Sequence, residues 1–332
     1  MTWFLAMIRK IDRDTKKSQG SMLILVLVII VFLAALVFRS QSLASARLSG
    51  SATDLDLVRL RTVMTDGILQ GMNRLKVDQT LTLDDPSESW NEPFNVEDPS
   101  GASTRVRIRE LSGRFDLNNV YVEVPDITIK PVKEFMLNLF TECGDFSPSE
   151  RVEALTDWVD NDDNGFYEVA HYQEREPYYA PANFWLNSWS ELLHVEGFDR
   201  EYLRRHTLSP NSAFKANFQD VFVIIPGARM RPTPVNINFA PRAVLLGLLG
   251  QEELSTVESI VAYRKEKPIL DLDLFLLRLE DDKANTLRQY FTTASTHFRI
   301  DAGGYYNGIS ARTSALVKRG ANGKVRVLKW VL

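Results

Sequence analysis

The chain predicts an α+β fold: a long N-terminal helix packed on an antiparallel sheet, with a large all-α module inserted between the strands. Three observations predict it. A charge-free apolar run over residues 21–38 continues into apolar residues at three- and four-residue spacing, the helical period. Strict polar–apolar alternation occurs near residue 104 and again in the last forty residues, the period of a half-buried strand. Between these two regions the period is helical.

The apolar run is close to the minimum that crosses a bilayer core as a helix. Arg9, Lys10, Arg13, Lys16 and Lys17 precede it, so the positive-inside rule keeps the N-terminus cytoplasmic and puts the chain after Arg39 on the far side. Three readings fit. One is a cleavable secretory signal, for which Ser40-Gln41-Ser42 and Ala44-Ser45-Ala46 offer small-x-small sites. A second is a plain membrane anchor. The third is a prepilin-type leader, residues 1–20, cut between Gly20 and Ser21 so that the apolar segment is retained.

Leu57, Leu60, Met64, Ile68, Met72 and Leu75 extend the helical pattern. A helix over 21–76 would be roughly 80 Å long; a break at Gly50 into two helices is the alternative. Residues 78–104, rich in Asp, Glu, Pro and Ser, read as a loop. Residues 104–111 alternate as a strand, and 112–114 turn. Helices are expected at 132–140, at 149–159 with Ser149 as N-cap, at 188–195, 199–206, 241–249, 254–265, 271–279 and 283–290. The pairs around Gly197 and Lys283 echo each other as short helix-turn-helix units. Strands return at 297–301, 311–318 and 324–331, the last two joined at Asn322-Gly323, a strong hairpin signal. The expected organisation is therefore 21–76 helix, 77–130 first part of the sheet domain, 131–290 helical insertion and 291–332 returning strands.

A net charge of −4 and a pI near 5.7 give no global reason to bind nucleic acid or anionic lipid. The single cysteine, Cys143, excludes an internal disulfide and reads as a small buried apolar residue. No H-E-x-x-H, G-x-S-x-G or P-loop is present, and the four histidines (His171, His194, His206, His297) form no catalytic pattern, so no enzyme is expected. Trp158, Trp185 and Trp189 with Tyr167, Tyr172, Tyr178 and Tyr179 could line a ligand cage or pack a core.

The sharpest motif is Asp160-Asn161-Asp162-Asp163-Asn164-Gly165, the first six positions of a calcium loop. Oxygen side chains at alternate positions converge as the chain curls, and glycine permits the turn. The Phe166 carbonyl would be a further ligand. Position twelve is His171 rather than Glu, so Glu168 or Glu174 would have to supply the missing carboxylate; a solvated acidic turn is the alternative. Residues 234–279 look like the helix-hairpin-helix, SAM-like module of some DNA-binding proteins. Such a hairpin donates backbone amides to phosphate, but Glu252 and Glu253 here would repel it, so the module reads as scaffold.

Taken in order, these pieces resemble one family, the type II secretion minor pseudopilins called general secretion pathway protein K. The matching residues are the Gly20-Ser21 junction, Gly113-Arg-Phe-Asp-Leu-Asn-Asn119, Asp157-Trp-Val-Asp160, Tyr178-Tyr-Ala-Pro-Ala-Asn183, Ser190-Glu-Leu-Leu193 and Val235-Asn-Ile-Asn-Phe-Ala-Pro241. The resemblance implies a pilin-like domain with a helical insertion and leader removal by prepilin peptidase. It further implies a non-enzymatic role at the tip of a periplasmic pseudopilus with minor pseudopilins I and J above the major pseudopilin, in contact with the inner membrane and with secreted proteins but not nucleic acid. Most pilins carry Glu at the fifth mature position; counted from Ser21 this chain has Leu25, as tip subunits of this family do. The family binds calcium in its insertion, which carries over to Asp160, Asp162, Asn164 and Glu168. The acidic stretch between the Asp-Trp and Tyr-Ala-Asn segments is shorter here than the family pattern. A minor pilin of a related type IV system, or an anchored helix-hairpin-helix nucleic-acid-binding protein, is the alternative expectation.

Overall fold

One helix, α1 (Thr2–Lys76), runs unbroken through Gly50 for 75 residues, about 110 Å. The computed structural model describes residues 2–121, 129–204, 206–207, 216–227, 231–277 and 279–331. Side chains are described at 25–42, 53–121, 131–203, 218–227, 231–277 and 279–331. Two halves of α1 have opposite environments. The window Leu25–Ser42 is long and apolar enough to cross a membrane, and none of it is buried. Further on, Leu60, Val63, Met64, Ile68 and Leu75 form a buried stripe at helical spacing. Gly67 and Gly71 lie on that stripe, where a Cβ would sit 2.7 Å from Val106 Cγ2 and 2.9 Å from Ile300 Cγ2, so the helix backbone lies directly on the sheet.

After α1 come β1 (Phe94–Glu97), β2 (Ser103–Glu110) and β3 (Phe115–Asp116). Residues 78–104 are therefore not all loop: Phe94 and Val96 pack inward on β1, an edge strand too short to show alternation in the sequence. Next are α2 (Ile129–Glu142), α3 (Pro148–Val159), α4 (Val169–Gln173), α5 (Trp189–Leu192) and α6 (Arg200–Arg204). The short pair β4 (His206–Thr207) and β5 (Ala216–Asn217) precedes α7 (Phe218–Val221), β6 (Phe222–Val223) and β7 (Val235–Asn236). Then follow α8 (Arg242–Leu249), α9 (Leu254–Glu266), α10 (Asp273–Leu276), α11 (Asp281–Arg288) and β8 (Phe291–Thr292). The chain closes with β9 (His297–Tyr306), β10 (Ile309–Arg319) and β11 (Val325–Val331).

The main sheet is antiparallel, in the order β1-β2-β9-β10-β11. Strands β2 and β9 pair directly although almost two hundred residues separate them. Its inner face and α1 share one core that includes Trp90, Val106, Ile108, Phe298, Ile300, Ala315 and Val317. The intervening helices bury a second, larger core. Two-residue parallel pairs, β3 with β6 and β7 with β8, accompany those helices. A small cluster of Leu111, Val223, Ile225 and Leu316 joins the two cores.

Some local expectations shift. Helix α3 begins at Pro148, so Ser149 lies inside its first turn and Ser147 is the N-cap; proline pre-sets the first helical φ and lacks the N–H that a cap would satisfy. The helix expected at 188–195 shortens to α5, whose Ser188 hydroxyl accepts the Glu191 N–H at 3.3 Å. The helix expected at 271–279 shortens to α10.

Candidate functional site

The acidic loop follows α3 directly. Asp160 is the helix C-cap, its N–H donating to the Thr156 carbonyl at 2.9 Å. The Asp162 carboxylate accepts the Asn164 N–H at 2.8 Å, and the Asp157 carboxylate accepts the Tyr167 N–H at 2.8 Å. These two bonds curl the chain back on itself. Gly165 makes the return turn against Asp157, and any Cβ there would collide with that carboxylate. Glu168 then caps α4 and is buried at 7 % exposure.

The result brings Asp160, Asp162 and Glu168 together, with one carboxylate oxygen from each lying within 4.8 Å of the others. Asn164 and Asp162 line a cleft of about 510 Å³ with Asp157, Asp160 and Lys133. Both Glu168 carboxylate oxygens and Asp160 Oδ1 are buried without a hydrogen-bond partner in the protein. Burial, reinforced by Asp157 and Asp160, pushes the Glu168 carboxyl up to about 7. Burial and the neighbouring Asp162 and Asp157 push Asp160 up to about 6. Buried carboxylates without donors are neutralised by a proton or by a cation, and an all-oxygen set suits a hard ion such as calcium. The donor set fits that group: Asp160, Asp162 and Glu168 would hold it, with Asn164 at the cleft wall.

Other candidates fall elsewhere. Phe166 has an exposed side chain, and the ligand expected from it is the backbone carbonyl, which that exposure leaves in place. His171, the twelfth loop position, faces away: its Nε2 lies 2.9 Å from Glu196, which also pairs with Arg175. Glu174 is exposed and outside the cluster. Leu25 is exposed on α1, which also contains Gly20 and Ser21. The aromatic residues divide: Trp158, Tyr172 and Tyr179 pack on one another at 5.2–6.1 Å inside the core, Trp189 packs on Phe218, and Tyr178 is exposed, so they form no single cage. Cys143 is buried and its thiol is pushed up by desolvation. At the hairpin after α8, Glu252 and Glu253 are paired with Lys283 at 2.6 and 3.4 Å. Helix α8 itself is buried from Ala243 to Leu249, which makes the module a packing element.

Four asparagines fix the insertion. Asn118 donates to the Leu186 and Ile225 carbonyls and accepts the Leu186 N–H, at 2.8–3.0 Å. Asn119 exchanges both bonds with Thr233. Asn236 reaches the carbonyls of Asp84 and Thr293 and the Ser295 hydroxyl; Asn238 exchanges both bonds with Ile269. Each amide replaces a backbone partner for chain that belongs to no regular sheet. A network that sequence reasoning missed lies beside Asn236. Arg319, 2 % exposed, contacts Asp78 and Asp84 at 2.5 Å. Glu110 accepts from the Ser295 hydroxyl and the Gly113 N–H, and desolvation pushes it up to about 7. These partners lie up to 241 residues apart, and no local pattern signals them.

A long helix laid on an antiparallel sheet, with its apolar end projecting beyond the sheet, defines a pilin-like fold carrying an inserted helical module. The family model for protein K of the type II secretion system (T2SS), first domain, matches residues 113–210. The type II secretion system protein K of Pseudomonas aeruginosa is 26% identical over 265 residues, covering 74% of this chain and 70% of that protein. A chain in the crystal structure of the GspK–GspI–GspJ complex from the enterotoxigenic Escherichia coli type 2 secretion system superposes with a TM-score of 0.68. It is 16% identical and covers 84% of this chain and 98% of that one. The chain is thus similar to protein K of the type II secretion system in sequence over its first insertion segment and in fold over most of its length.

Proposed function

We propose that this protein is a non-catalytic minor pseudopilin that caps the pseudopilus, initiates its assembly and supports protein export. The observation that carries this is the single α1 helix, whose exposed apolar end and sheet-packed end form one rigid rod. Such a rod keeps the folded domain attached to lipid before assembly and to neighbouring helices afterwards. Prepilin peptidase would cut between Gly20 and Ser21, leaving a single-pass inner-membrane protein with its folded part in the periplasm. By analogy with the GspK–GspI–GspJ complex, its partners would be minor pseudopilins I and J. Leu25 supports the tip position: the fibre pairs a Glu at that place with the amine of a neighbour, and a subunit with nothing above it has no use for the pair. Calcium, held by Asp160, Asp162, Asn164, Glu168 and the Phe166 carbonyl, would brace the insertion.

The intact mass of the mature protein tests this reading. A chain beginning at Ser21, with or without N-terminal methylation, is expected. A chain beginning near residue 40 would have lost the apolar helix and would exclude assembly into a fibre.

A further inference from the structure

The solvent face of the main sheet is a basin of arginines on an acidic protein. Alternation along β2 sends Arg105, Arg107 and Arg109 to the face opposite α1, and all three are exposed. Register adds Arg299, directly opposite Arg109, and Arg312, which faces Arg105 across Gly303. One carboxylate answers these five guanidiniums: Asp301 pairs with Arg109 and Arg299, each at 2.8 Å. Arg105, Arg107 and Arg312 have no ionic or hydrogen-bonding partner among the described residues. Folding gives no reason for this arrangement, because like charges facing each other across strands cost stability.

The basin has a shape as well as a charge. It is a trough of about 1030 Å³ with small residues along its floor. A Cβ added at Gly303 would meet nothing within 4 Å, so the floor is open between Arg105 and Arg312. Alternate residues of a strand are about 6.8 Å apart, and alternate side chains of an extended peptide lying alongside share that period. Guanidinium binds carboxylate as a two-pronged pair, the geometry in which arginine surpasses lysine.

We infer that this trough binds an acidic stretch of another polypeptide, in extended form, with carboxylates at alternate positions matched to the Arg105, Arg107 and Arg109 ladder. Two other polyanions fit less well. Lipid headgroups lie out of reach: the apolar window of α1 ends at Ser42 and sheet packing starts at Leu60, a rise of about 27 Å, several screening lengths in physiological salt. Single-stranded nucleic acid would use aromatic stacking platforms, and no aromatic ring lines the trough.

The test is fluorescence anisotropy of a labelled alternating Glu–Ser peptide with the full chain in nonionic detergent, at low and high salt. Binding at low salt is expected, weakening as salt rises, with an alternating Gln–Ser peptide inert. The triple variant Arg105→Ser/Arg107→Ser/Arg312→Ser should weaken binding by at least roughly tenfold with unchanged melting. Gly303→Asp, which has room for its side chain, should do the same by placing an anion on the floor. No low-salt binding, or equal binding by both variants, would overturn the proposal. So would tighter, variant-sensitive binding of oligothymidylate or of phosphatidylglycerol vesicles.

Discussion

At the residue scale the acidic loop after α3 carries the most chemistry for its length. Glu168 and Asp160 hold protons up to about 7 and about 6 because burial and neighbouring carboxylates oppose their charge. The unfolded chain releases those protons near the ordinary carboxylate range, so without a cation the folded state binds more protons and loses stability as pH rises through 5 to 7. A bound cation reverses the balance. Calcium should therefore raise the melting temperature of the full-length protein in detergent at pH 8 and progressively less toward pH 5.5, where protons compete for the same oxygens. A calcium effect independent of pH would contradict the assignment. Gly165→Ala should abolish the calcium shift, because the new methyl meets Asp157 at the return turn. Asn118→Ala removes three hydrogen bonds and strands the buried Leu186 N–H and carbonyl, at roughly 1–3 kcal/mol for each group stranded, and should lower the melting temperature with or without calcium. The D-x-D-x-N-G pattern made Asp160, Asp162 and the Gly165 turn legible in the sequence. Glu168 was legible only as one of two alternatives, since its burial depends on α4 packing against the core. Asp157 gave no local sign that it holds the Tyr167 amide.

At the scale of elements, periodicity revealed what local physics controls. The helical stripe from Leu60 to Leu75 and the alternation of β2 and β11 are set by burial of one face. The sequence did not show where α1 lies closest to the sheet. Apolar spacing selects Leu57 and Met72, yet these are only partly covered, and Val63, Gly67 and Gly71 occupy the contact. Short elements such as β1 and the paired β3 and β6 carry too few residues for a period to register. Gly71→Val should drive its branches into Ile300 and Ile108 and cost about 1–3 kcal/mol. Thermal unfolding would reveal it as a lowered midpoint. Thr65→Val, at an exposed position of the same helix, should leave the midpoint unchanged within about half a kcal/mol.

At the scale of the whole molecule, two cores have to behave as one body if force or assembly at α1 is to reach the insertion. Apolar contact between them includes the cluster around Leu111 and Ile225 and the packing of Phe239 on Trp90, and polar contacts make up another part of the junction. Arg319 at the end of β10 draws in Asp78 and Asp84 from the segment that follows α1, while the Ser295 N–H and the Asn236 amide bind Asp84 from the insertion side. One guanidinium thus ties helix exit, sheet and insertion together. Removing it strands two acids in a site where desolvation already pushes Asp84 up to about 6, and breaking such a buried pair costs roughly 3–5 kcal/mol. Arg319→Met, which keeps the apolar stem, should lower the melting temperature and accelerate amide exchange in β2 and β9 and around Val235–Asn236 together. The loss should lessen as pH falls toward 5, because protonation of the stranded carboxylates removes their charge. Exchange that rises in β10 alone, with β2 and the Asn236 region still protected, would mean that the two cores are held together by the apolar cluster and that the polar seam only fills space.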